Sequence, residues 1–221
     1  MNGDIKLKLG SLVIFRGLLK LPVIVRLTEL DETNPEDTSA LVYAYGAFMS
    51  ELLKETPNFT EYLFTAVTED ENIYTSYRMS GKEKDDMYES MLDRELAILQ
   101  KLSMYDGGDV RAVAPDEKLP VWKVSKVDFV SLYHERMNNI RTVGYGIFAK
   151  YRMFVIGEDR SLVPIKNPDP MKLSDIVGYE RERGQVVTNT EAFLSGRPSN
   201  NVLLYGDAGT GKSSTVKALV N

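Results

Sequence analysis

The residues best equipped for chemistry lie near the end of the chain, in Asn200-Asn201-Val202-Leu203-Leu204-Tyr205-Gly206-Asp207-Ala208-Gly209-Thr210-Gly211-Lys212-Ser213-Ser214. A short apolar run leads into a glycine-rich loop. Gly206, four residues, then Gly211-Lys212-Ser213 has the phosphate-binding spacing G-x-x-x-x-G-K-[ST]. Glycines let the backbone turn with positive φ, so that successive N–H groups point inward and form a concave anion site. At that spacing Lys212 is the expected catalytic residue, its ammonium on the β- and γ-phosphates. The Ser213 hydroxyl is the expected Mg²⁺ ligand, and Gly206, Asp207, Ala208, Gly209, Thr210, Gly211, Lys212, Ser213 and Ser214 together form the expected nucleotide cradle. The plain alternative is a glycine-rich turn between a strand and a helix, with no ligand.

Such a loop needs a strand before it and a helix after it. Val202-Leu203-Leu204-Tyr205 reads as a buried strand, and Ser214 to Val220 as a helix with Val216, Leu219 and Val220 on one face. The helix N-terminus adds its N–H groups and dipole to the same anion site. One strand and one helix do not make the parallel sheet that carries such a loop. Hydrolysis further requires an acidic residue at the end of a later strand. The one apolar run that meets acids, Phe154-Val155-Ile156-Gly157-Glu158-Asp159, precedes the loop and reads as half of a β-hairpin. A chain truncated just after the phosphate loop, binding nucleotide without turning it over, is therefore expected.

Composition bounds the rest. With 221 residues, 43% apolar and 27% charged, the chain has room for one or two ordinary globular domains. It has no cysteine, and its lone His134 lies in a helical pattern, which argues for a structural or surface histidine rather than a zinc ligand. The net charge of −5 hides a strongly acidic block over 31–117 and a basic one over 118–168. The acidic block argues against nucleic acid as a partner. Leu12-Val13-Ile14-Phe15 is too short to span a membrane, and no signal cleavage site follows it, so a cytoplasmic protein is expected. A basic amphipathic helix lying on a membrane is the alternative reading of this end.

Periodicity predicts helices over 5–19, ended by Pro22, then over 36–54, 59–67 (capped by Asn58), 82–104, 126–141 (capped by Ser125) and 179–194, which stops at Gly196. Val23-Ile24-Val25 reads as a short apolar run, 31–38 as a loop, 68–80 as ambiguous, and 110–125 as irregular. The acids of the fourth helix read as its solvated face, and Gly107-Gly108 as a turn rather than a phosphate contact. Strands are expected around Gly157-Glu158-Asp159-Arg160, pairing Phe154–Ile156 with Leu162-Val163. The proline-rich 166–172 reads as a linker between a mainly helical N-terminal domain, 1–165 with its hairpin near 152–165, and a second domain, 173–221.

Leu173-Ser174-Asp175-Ile176-Val177-Gly178, the helix ending Phe193-Leu194-Ser195-Gly196, and the Asn200–Ser213 run together resemble the start of an AAA+ ATPase module. The resemblance is nearest to a family of uncharacterised bacterial AAA+ ATPases with a helical region ahead of the module. It implies an α/β P-loop NTPase domain that begins here, after a mainly α-helical (α+β) domain, in a fragment that is predominantly helical. It also implies ATP with Mg²⁺ as ligand, with Ile176, Val177 and Gly178 packed on the adenine. A ring or dimer is implied in which a neighbour supplies an arginine. Asp207-Ala208 stands where many AAA+ members carry prolines, which leaves the backbone cradle intact. Three functions follow from these readings. The first is an ATPase that moves its N-terminal domain against a protein partner. The second is an interaction module with nucleotide as a regulatory or structural ligand, and the third a small-molecule kinase or GTPase.

Overall fold

Three consecutive backbone N–H groups interrupt the first predicted helix. In a computed structural model, which describes residues 4–81, 83–114 and 118–221, α1 covers only Asp4–Gly10, and a 3₁₀ turn follows at Arg16–Lys20. Between them the N–H groups of Val13, Ile14 and Phe15 donate to the Glu95 carboxylate at 2.7, 3.0 and 3.1 Å. A helix over 5–19 would direct those N–H groups to carbonyls four residues back. The buried carboxylate competes for them successfully, because a charge-assisted hydrogen bond is the stronger kind.

The chain divides into two compact units, Met1–Lys150 and Tyr151–Asn221. The first is helical: α2 (Pro22–Glu32), α3 (Thr38–Glu55), α4 (Phe59–Glu69), α5 (Ile73–Met79), α6 (Asp86–Leu102), α7 (Gly108–Val113), α8 (Phe129–Asn138) and the short turns α9 (Ile140–Val143) and α10 (Ile147–Lys150). Pro22 opens α2 instead of only closing what precedes it, because proline at the first helical position loses no intrahelical bond. The apolar run 23–25 is thus helical, and the helix takes in Asp31 and Glu32 from the expected loop.

Caps fix the other boundaries. Asp37 accepts from the Ala40 N–H, and Asn58 caps α4 as expected. The ambiguous 68–80 stretch contains α5, started by a reciprocal box between Asn72 and Thr75. The fourth predicted helix starts at Asp86, capped by Asp85; position 82, where it was expected to begin, lies outside the described residues. Asp128, not Ser125, caps α8: its carboxylate takes the Ser131 N–H, whereas the Ser125 hydroxyl accepts from the Asn58 amide.

Apolar faces of these helices converge on a core that includes Phe15, Leu27, Tyr45, Phe48, Phe59, Leu99, Trp122 and Tyr133. Part of 110–125 is the helix α7, and Pro115 lies outside the described residues. Beyond it the chain is irregular but anchored. The Trp122 ring lies 4.9 Å from Phe48 and 5.2 Å from Tyr45, and its indole N–H donates to the Tyr105 carbonyl at 2.8 Å. Gly107 has φ +70°, and a Cβ there would fall 2.5 Å from the Trp122 ring, so the turn needs glycine on both counts.

The second unit has the expected hairpin, β1 (Phe154–Ile156) antiparallel to β2 (Leu162–Pro164) with Val155 opposite Val163. It continues through a 3₁₀ turn at Leu173–Asp175, α11 (Glu180–Leu194) and α12 (Lys212–Ala218). The helix α11 stops as predicted at Gly196, where φ is +69° and the Arg197 N–H returns to the Ala192 carbonyl at 2.9 Å. The protein is mainly helical, with one short two-stranded sheet among the described residues.

Two predictions follow from the helical unit. Glu95→Ala strands three N–H groups and should lower unfolding stability by about 3 kcal/mol or more in urea titration, with Glu95→Gln losing less. Burial pushes the phenols of Tyr62 and Tyr74 up to about 12. A phenol held neutral in the fold but ionising near 10 when unfolded contributes stability that is complete below pH 10 and lost as pH rises towards 12. The urea midpoint should therefore fall between pH 9.5 and 11.5, and fall less in the Tyr62→Phe, Tyr74→Phe double variant.

Candidate nucleotide site

The glycine spacing folds as its chemistry requires. Gly206, Gly209 and Gly211 have φ of +139°, +82° and +78°, conformations that residues with a Cβ rarely adopt. Gly211 is the N-cap of α12, so the loop delivers the chain directly into the helix. Lys212 folds back over the loop: its ammonium donates to the carbonyls of Gly206 at 2.8 Å and Asp207 at 2.6 Å, and to Thr210 Oγ1 at 3.2 Å. The Thr210 hydroxyl in turn donates to the Asp207 carbonyl at 2.9 Å. All three ammonium protons thus meet neutral oxygens, and no ion pair among the described residues includes Lys212.

Asp207, Ala208, Gly209 and Ser213 are exposed, while Thr210, Gly211, Lys212 and Ser214 are half-buried. An exposed Ser213 hydroxyl beside an uncompensated ammonium and a succession of positive-φ glycines fits a phosphate group and its Mg²⁺. Phosphate oxygens would offer the ammonium a charged partner in place of carbonyls.

The second predicted contact element reaches the loop only in part. A Cβ built on Gly211 would lie 3.5 Å from Ile176 Cγ2, so Ile176 stands beside the loop glycine. Val177 is 93% exposed, and Gly178 turns the chain with φ +81°. Asp175 closes the preceding turn by accepting from the Lys172 N–H at 2.9 Å, a contact that, with the Ser174 hydroxyl, holds its carboxyl below the usual range.

Two expectations are corrected. Val202–Tyr205 is neither paired nor buried: Leu203 is 83% and Tyr205 89% exposed. A strand needs a neighbour for its N–H and C=O groups, and no described segment supplies one. The tie at its entry is the Asn189 side chain, which takes the Asn200 N–H at 2.9 Å and donates to its carbonyl at 2.8 Å. The buried face of α12 is Thr215 and Ala218, with Val216 exposed; Thr215 Oγ1 also bonds the Gly211 carbonyl at 2.9 Å.

Residue types alone did not point to Arg183. Its guanidinium donates to the carbonyls of Leu173, at 2.8 Å, and Ile176. No motif flags it, since an arginine in the first turns of a helix usually points to solvent.

Other polar groups do less. His134 is within 2.6 Å of Asp93, and the described residues include no set of three His, Cys, Asp or Glu able to hold a metal. Glu89, expected on a solvated face, accepts from the Tyr74 hydroxyl at 2.8 Å. A cleft of about 610 Å³ in the helical unit is lined by Glu55, Glu61, Glu69, Asp70 and Glu71, with Lys150 paired to Glu69, so acids outnumber bases along it. No described helix is long and apolar enough to cross a membrane.

A known family and a known protein resemble parts of the chain. Residues 149–221 match the model of a family described as "Protein of unknown function (DUF815)". A stretch of 53 residues is 42% identical to the replication factor C large subunit of Staphylothermus marinus. That stretch is 24% of this chain and 12% of the relative, so the chain spans a small part of the relative's length. No solved structure matches the chain.

Gly211→Ala puts a side chain into the left-handed region without a steric block, at a cost of about 1 kcal/mol. Amide exchange over 206–215 should then quicken about fivefold, with the helical unit unchanged, as read by hydrogen-exchange mass spectrometry.

Proposed function

We propose that residues 173–221 form the nucleotide-binding start of an AAA+ type ATPase and bind ATP with Mg²⁺. The observation that carries this reading is the Lys212 ammonium, seated on neutral carbonyls inside a loop of positive-φ glycines with Ile176 at its side. In this reading the loop N–H groups of Gly206–Ser214 and the Lys212 ammonium hold the phosphates. Ser213 ligates Mg²⁺, which screens phosphate charge when bound, and Ile176, Val177 and Gly178 flank the adenine. The likeness to a replication factor C large subunit over 53 residues supports an ATPase of this class.

Hydrolysis belongs, in this proposal, to a longer protein with an acidic strand end and a neighbour's arginine, working as a ring or dimer. There it would couple nucleotide state to movement of the helical unit against a protein partner. The core of Met1–Lys150 supports treating that unit as a body able to act as a whole.

The 221-residue chain should bind ATP–Mg²⁺ without turnover, and Lys212→Ala should weaken binding about tenfold or more in titration calorimetry, with GTP a poor competitor. Equal affinity in wild type and variant would make the loop structural and move the search for function to residues 1–165.

A further inference from the structure

The turn at 173–178 carries little structure of its own. It is a single 3₁₀ turn followed by Gly178 and Tyr179, both with left-handed φ, +81° and +57°. No strand pairing holds it among the described residues. Its tie to α11 is Arg183, whose Nη1 bonds the Leu173 and Ile176 carbonyls at once. Both bonds leave one nitrogen, so a single NH₂ group of the guanidinium draws together two carbonyls three residues apart in the turn.

The charge of Arg183 has little compensation. Glu180 stands 3.8 Å away with a side chain 79% exposed, so that pair is screened by solvent. The Arg183 Nε–H is buried with no acceptor. A half-buried cation on neutral carbonyls with one donor unmet is a poor arrangement for stability alone. Its geometric effect is to fix Ile176, whose methyl flanks Gly211 of the phosphate loop, and with it the neighbouring Val177, whose apolar side chain is 93% exposed.

We propose that Arg183 is a positioning residue that sets the apolar wall at Ile176 and Val177 against the phosphate loop, and so governs which base is accepted rather than how tightly the phosphates are held. This inference rests on the nucleotide reading above. Loss of the Nη1 bonds frees the wall and leaves the loop and Lys212 as they are.

The test uses the full 221-residue chain, with ATP, CTP and inorganic tripolyphosphate as probes, each with Mg²⁺. Wild type should prefer ATP over CTP. Arg183→Ala should reduce that ratio at least fivefold while tripolyphosphate affinity stays within twofold. Arg183→Lys, which keeps the charge and one carbonyl bond, should give an intermediate ratio. An unchanged ATP-to-CTP ratio in either variant, a wild type without ATP preference, or an equal loss of all three probes overturns the inference and leaves the nucleotide site standing. Wild-type binding of ATP and tripolyphosphate that does not depend on Lys212 overturns the nucleotide reading, and this inference with it.

Discussion

Backbone groups turned inward demand a partner of opposite charge, and in each unit one side chain meets that demand. In the helical unit the Glu95 carboxylate gathers the N–H groups of residues 13–15 from about eighty residues away in sequence. The N-terminal segment then folds as a short helix, a turn and a 3₁₀ turn, which lets Leu12, Ile14, Phe15 and Leu18 all enter the core. Leaving that carboxylate or those N–H groups unpaired in the interior would cost several kcal/mol, a large part of a domain's net stability. The packing of this unit depends on the contact.

The glycine-rich loop shows the inverse arrangement. Here the carbonyls of Gly206 and Asp207 face an ammonium, in a loop of positive-φ glycines. Glu95 is buried and its bonds are charge-assisted; Lys212 is half-buried and its partners are neutral. The first contact is complete, and the second has room for a stronger, anionic partner. That contrast separates the two charges.

Much of this was legible in the residue order. Apolar periodicity located the helices α3, α4, α6 and α11, though of the apolar face read for α11 only Val186 is buried and Phe193 and Leu194 are exposed; Asn58 and Gly196 marked helix ends by their own cap chemistry, and the hairpin followed from two apolar runs around a polar turn. The glycine spacing located the loop, because left-handed φ is a local property of glycine. What local pattern could not supply was long-range pairing. Glu95 looks like one more acid on an amphipathic helix, and nothing near Val13 announces the carboxylate that unwinds the helix there. Arg183 is hidden for the same reason, since its carbonyl partners are seven and ten residues back in a turn without a motif. Val202–Tyr205 failed in the opposite direction: its residues suit a buried strand, but a strand's burial comes from neighbours, and no described segment pairs with it.

In the proposed reading the Gly206–Ser214 loop is a nucleotide site. The most direct measurement is a backbone amide NMR titration of the chain with ATP–Mg²⁺, with Mg²⁺ alone and with GTP–Mg²⁺. Saturable shifts centred on Gly206–Ser214 and extending to Ile176–Gly178 are expected, strong with ATP, weak with GTP and absent with the metal alone. Shifts confined to the helical unit, or no shift in the loop at saturating ATP, would contradict it.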